Sequence, residues 1–154
     1  MLTVAVVGPA EAAPQVLAQA EEVGRLLASQ GHVVVTGGYG GVMEAASRGA
    51  AIADGLVLAL LPGTERDANP FVSLALPTGL GEMRNALIVR VSDAVVCVGG
   101  SWGTLSEVAL AQRTGVPVVM LHGWSLPAGP VLADSAADAV RKAIDLADRG
   151  HRPN

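Results

Sequence analysis

The sequence predicts an α/β fold, with one open, mostly parallel sheet and helices on both faces. Three observations carry this. An apolar run, a glycine-rich elbow and a helix-like stretch follow one another three times: at Val4-Ala5-Val6-Val7-Gly8-Pro9, at Val33-Val34-Val35-Thr36-Gly37-Gly38-Tyr39-Gly40-Gly41, and at Ala94-Val95-Val96-Cys97-Val98-Gly99-Gly100-Ser101-Trp102-Gly103-Thr104. Each run is short and β-branched, as suits a parallel strand buried on both faces. The composition is 51% hydrophobic but only 3% aromatic, which fits a valine- and alanine-rich sheet covered by helices. The length of 154 residues suffices for one domain with a proper core and not for two, so residues 1–154 read as a single phosphate- or nucleotide-binding unit.

The elements follow in order. Residues 2–8 read as a strand ending at Gly8-Pro9. Val16, Ala20, Val23 and Leu27 recur at helical spacing over residues 14–30, and Gly31 stops that helix. Residues 32–36 form the second strand. The elbow at 37–41 opens a helix carrying Val42, Met43, Ala46 and Ala50, which ends near Gly55. Residues 56–61 form a third strand stopped by Pro62-Gly63, and the polar stretch 64–70 is a surface loop. Residues 71–76 are a candidate fourth strand bounded by Pro77. Met83, Leu87 and Val91 mark a helix over 80–92. An apolar strand follows at 94–98, then the third elbow and a helix with Val108 and Ala111 inward, ending near Gly115. Residues 116–121 are a further strand, 123–130 a loop, and 135–150 the last helix. Right-handed crossovers make such a sheet Rossmann-like, with a ligand crevice beyond the strand ends.

Several function classes are disfavoured. A net charge of -4 offers no electrostatic case for nucleic acid or an anionic membrane. No apolar stretch reaches the roughly 20 residues that span a bilayer. The first apolar run lacks the basic lead of a signal peptide. The lone Cys97 cannot form an internal disulfide, and together these features point to the cytoplasm. His32, His122 and His151 share no ligand spacing with Cys97, so no metal site is expected. Ser47 and Ser106 have no partner histidine pattern for a hydrolase triad. The G-x-G-x-x-G fingerprint and the Walker A motif are both missing.

What remains is anion chemistry. A glycine elbow exposes free N–H groups at a helix start, where partial positive charge favours phosphate. Gly8 and Pro9, then Gly37, Gly38, Gly40 and Gly41, then Gly99, Gly100, Ser101, Trp102, Gly103 and Thr104 are therefore the candidate ligand-binding residues. Four glycines in five positions at 37–41 exceed what a turn requires, and missing Cβ atoms let a ligand approach the backbone. Trp102 has two readings, as a stacking surface for a ligand ring or as a wedge that holds the elbow.

Arg84 falls in the first turn of its helix beside Glu82. It reads either as a surface arginine or as a guanidinium whose fork faces phosphate. Thr104 and Glu107 stand at capping-box spacing and read either as a helix cap or as a carboxylate facing the elbow's ligand. Neither Arg84 nor Glu107 is expected in the apolar core. Arg90, near Asp93, and Arg48, near its helix end, read as surface residues.

The blocks Thr36-Gly37-Gly38-Tyr39-Gly40-Gly41-Val42-Met43-Glu44-Ala45, Gly81-Glu82-Met83-Arg84-Asn85 and Gly99-Gly100-Ser101-Trp102-Gly103-Thr104-Leu105-Ser106-Glu107 together resemble the "lysine decarboxylase-like" Rossmann group. That group includes the Lonely Guy phosphoribohydrolases and the molybdenum cofactor carrier proteins. The resemblance spans nearly the whole chain and is closer to the carrier branch. The phosphoribohydrolases carry Pro-Gly-Gly-x-Gly-Thr-x-x-Glu, whereas here Gly99 replaces the proline and Ser101 the second glycine. Their arginine is followed by lysine; here Asn85 follows Arg84, and Gly81 stands where they have methionine. The resemblance implies a carrier for a molybdopterin-type cofactor or similar phosphorylated small molecule. Its alternative is an enzyme that cleaves the N-glycosidic bond of a nucleoside 5′-monophosphate, with Arg84 and Glu107 as the catalytic pair. It also implies a dimer or higher homo-oligomer; helix 80–92, which presents much apolar surface for one domain, is the candidate interface.

Overall fold

The computed structural model of the chain describes residues 1–126 and 128–150. Its seven strands are β1 (Thr3–Val7), β2 (Val33–Thr36), β3 (Val57–Leu61), β4 (Leu74–Pro77), β5 (Ala94–Val98), β6 (Val118–Leu121) and β7 (Val131–Leu132). They form one sheet in the order β4-β3-β2-β1-β5-β6-β7, and every pairing among the described residues is parallel. The helices are α1 (Pro14–Ser29), α2 (Val42–Ile52), α3 (Arg84–Arg90), α4 (Trp102–Thr114) and α5 (Ala136–Gly150). This is the open Rossmann-like α/β architecture the sequence predicts.

The period-two alternation of a strand divides the core in two. Val4 and Val6 of β1, with Val96 and Val98 of β5, pack with α1, α2 and α5 on one face. Ala5 and Val7, with Val95 and Cys97, pack with α3 and α4 on the other. A strand covered on both faces has no position to give to water, which is why these runs are continuously apolar. The chain runs outward from β1 through β2, β3 and β4, then returns to lay β5 on the other side of β1. Strand order therefore reverses between β1 and β5, and a crevice opens beyond their carboxyl ends.

Three boundaries differ from expectation. The fourth strand lies at Leu74–Pro77, later than 71–76, and as an edge strand it leaves Leu74 and Leu76 exposed. The helix over 80–92 is broken into a 3-10 turn, Gly81–Met83, and α3. Gly81 has φ +56°, outside the helical region, so the regular helix starts only at Arg84. The two-residue edge strand β7 is too short to carry a periodic signal. No helix among the described residues is long and apolar enough to cross a membrane.

Candidate functional site

A cavity of about 140 Å³ lies in the crevice. The end of β1 supplies Val6, Val7 and Gly8; the turn and helix after β2 supply Gly37 and Met43; α3 supplies Arg84 and Asn85; and α4 with its cap supplies Ser101, Gly103, Thr104 and Glu107. The two candidate catalytic residues thus share one cavity, although they are far apart in sequence.

Arg84 is fixed by backbone. Its Nη1 donates to the Gly37 carbonyl at 2.8 Å and to the Leu60 carbonyl at 2.7 Å. Its guanidinium carbon lies 5.9 Å from the Tyr39 ring centroid, within cation–π range. Burial lowers its pKa, and the Glu107 charge raises it; an arginine stays protonated regardless. The glycine at 37 has a reason other than ligand approach: a Cβ there would collide with Arg84 Nη1. Gly37 clears the path by which Arg84 reaches the cavity. Among the described residues only Nη1 of the fork donates a hydrogen bond.

Glu107 overturns the expectation that it lies outside the core. It is 8% exposed and makes no hydrogen bond among the described residues. The capping box at Thr104 and Glu107 does not form, because α4 starts earlier. Ser101 is the N-cap, its Oγ accepting from the Thr104 N–H at 3.3 Å and lying 2.9 Å from Thr104 Oγ1. With the helix begun at Trp102, Glu107 shares a face with Thr104, Val108 and Ala111, all buried. Burial pushes its carboxyl up to about 7, against the lowering effect of Arg84, and no salt bridge joins the two. Burial and the Glu107 charge push the Cys97 thiol up to about 12, so it stays protonated beneath the cavity.

The cap leaves donors free. The N–H groups of Trp102 and Gly103 have no acceptor among the described residues, and they begin a 13-residue helix whose dipole favours an anion.

The other candidate ligand-binding residues divide. Gly8, Gly37, Ser101, Gly103 and Thr104 line the cavity, while Pro9, Gly38, Gly40, Gly41, Gly99, Gly100 and Trp102 do not. A Cβ on Gly41 would strike the Ala10 carbonyl, and one on Gly38 would strike Leu61. Trp102 is 85% exposed and wedges nothing. Trp124 takes that part, with its ring 3.1 Å from where a Gly100 Cβ would stand. Trp102 instead lines an outer groove of about 730 Å³ with Met83, Ala86 and Leu110, and this groove shares Asn85 and Gly103 with the inner cavity.

Sequence reasoning missed Met43, Asn85 and Asn69. Asn69, in the loop 64–70, ties that loop to the elbow. Its N–H and Nδ2 both donate to the Gly38 carbonyl, Nδ2 also donates to the Tyr39 carbonyl, and Oδ1 accepts from Phe71 N–H. An Asn-Pro step marks a turn but not its partner. None of residues 64–70 lines the inner cavity or the outer groove. Asn69→Ala takes the Nδ2 donor from the Tyr39 carbonyl and the Oδ1 acceptor from the Phe71 N–H, while the backbone N–H still serves Gly38, so it is expected to destabilise the fold by about 1–3 kcal/mol and to speed amide exchange at residues 38–41. Unchanged exchange there would contradict the tie.

A protein-family model, the SLOG cluster4 family, matches residues 1–147. The chain belongs to that family. A protein of Archaeoglobus fulgidus named only as uncharacterized is 38% identical over 144 residues, covering 94% of this chain and 95% of its own. The molybdenum cofactor binding protein of the phototrophic bacterium Rippkaea orientalis is 35% identical with a TM-score of 0.89, covering 94% of this chain and 96% of its own. The molybdenum cofactor carrier protein of Chlamydomonas reinhardtii is 33% identical with a TM-score of 0.85, covering 94% and 97%. The resemblance to the carrier branch of the lysine decarboxylase-like group therefore holds. In this SLOG cluster4 member the departure at position 101 has a local use, because serine supplies the α4 cap that glycine lacks.

Proposed function

We propose that this SLOG cluster4 protein binds a phosphorylated, nucleotide-like small molecule or cofactor and acts as a carrier of the molybdenum cofactor type. The observation that carries the reading is convergence: Gly103, whose N–H has no acceptor among the described residues, and Arg84, whose fork is only partly engaged, line one cavity. Its volume of about 140 Å³ suits a phosphate group and is too small for a fused ring system. The organic part then lies in the adjoining groove, against Trp102 and Met83. The two relatives described as molybdenum cofactor binding and carrier proteins support a cofactor of that kind as cargo.

One observation favours a second reading. Glu107 is a buried carboxyl with a pKa of about 7 in the same cavity as Arg84, which suits general acid–base work at neutral pH. Under that reading the protein hydrolyses nucleoside 5′-monophosphates to a free base, and Glu107 activates water or stabilises oxocarbenium character. Incubation with a panel of nucleoside monophosphates and with the molybdenum cofactor, followed by chromatography, separates the two. Intact retention of a phosphorylated compound is the expected result. Base release moves the protein to the second reading, and neither retention nor release contradicts both.

The resemblance also leads us to propose self-association through the 80–92 segment, where Leu80, Met83 and Val91 are exposed. A monomeric mass by light scattering would overturn it.

A further inference from the structure

The inner cavity pairs one cation with one carboxyl, an unusual lining for an anion site. Among the described residues, Arg84 on α3 is the only cation lining it and Glu107 on α4 the only carboxyl. The rest of the described lining, from β1, the second elbow, α2 and the helix starts, carries no charge. The Cys97 thiol of β5, which also senses the Glu107 charge, stays protonated. Tyr39 and Asp67 lie beyond Arg84, the phenol meeting Asp67 at 3.4 Å.

Glu107 makes no hydrogen bond among the described residues and is more than nine-tenths buried. With Glu107 ionised, its charge cancels that of Arg84, and an arriving dianion meets no net attraction from side chains. With Glu107 protonated, the cavity is net positive and gains an O–H donor.

We propose that the cavity takes its anion together with one proton, which settles on the Glu107 carboxyl so that the acid donates a hydrogen bond to an anionic oxygen of the ligand. The proton comes from solvent and no covalent bond to the ligand changes. This rests on the anion-site reading above and adds its coupling to pH. Burial pushes the Glu107 carboxyl up to about 7, so the coupling falls where a modest change in pH shifts occupancy.

Sulfate is the probe, because it remains a dianion from pH 6 to pH 8 and contributes no proton of its own. Calorimetric titration of the whole protein at pH 7.5, in two buffers of different ionisation enthalpy, counts the protons. Most of one proton should be taken up per sulfate, and affinity should fall about tenfold between pH 6 and pH 8. Glu107→Gln should bind sulfate with no proton uptake and no pH dependence in that range. Equal wild-type affinity at both pH values without proton uptake would overturn the coupling and leave the anion site standing. PH dependence that persists in Glu107→Gln would also overturn the coupling. Failure of the wild type to bind sulfate at either pH would remove both the coupling and the anion site. The proton count on the wild type stands even if the variant does not fold.

Discussion

Arg84→Ala is expected to weaken binding of a nucleoside 5′-monophosphate or of the molybdenum cofactor by roughly 10- to 100-fold. A charged hydrogen bond to phosphate contributes about 1.5–3 kcal/mol, and no second cation among the described residues lines the cavity to replace it. The same change is expected to cost stability, contrary to a surface reading of this residue. Nη1 satisfies the carbonyls of Gly37 and Leu60, and both lose their donor. Water entering the vacated cavity offsets part of this, leaving a cost of about 1–2 kcal/mol. Arg84→Lys keeps the charge but not the fork, so it should recover part of the affinity. Titration calorimetry and urea denaturation on the same three proteins separate the effects. Wild-type affinity in the alanine variant would remove Arg84 from the binding site.

Glu107→Gln should stabilise the protein at alkaline pH. The carboxyl's ordinary value is 4.5, and burial in the fold raises it to about 7. Between those values the folded chain holds a proton that the unfolded chain releases. Stability therefore falls as pH rises from about 4.5 to about 7 and is level above that. The loss is on the order of 3 kcal/mol at pH 8. Glutamine is neutral throughout and close in shape to the protonated acid. The variant should match the wild type near pH 4.5 and exceed it by about 1–3 kcal/mol at pH 8. No cap is lost, because Ser101 holds that position. If the wild type releases base from nucleotides, the same variant should abolish release while binding persists, since the carboxyl acts on the transition state. A glutamine variant less stable than wild type at pH 8 would contradict the burial of an unpaired carboxyl.

The sheet was legible because its strands are short, β-branched and separated by glycine, signals that act locally. The helix over 80–92 was legible in its later part, where Leu87 and Val91 keep helical spacing, but its first turn depends on a positive φ at Gly81. The site was legible in its members more than in their roles. Gly37 reads as an opening for a ligand, but the atom that fills the space belongs to Arg84, 47 residues later. Asn69 reads as a polar loop residue, because the carbonyls it serves, those of Gly38 and Tyr39, belong to an elbow distant in sequence. For Glu107 the signal was present: Thr104, Val108 and Ala111 share its helix face. It was masked by the capping-box spacing, which places the helix start one turn too late.

The position of a bound phosphate tests the anion site most directly. A crystal of the protein soaked in phosphate should show the ion in the cavity between α3 and α4, against the free N–H of Gly103 and the Arg84 guanidinium. Phosphate found only beside surface cations such as Arg141 and Lys142 of α5, with nothing at the start of α4, would contradict it.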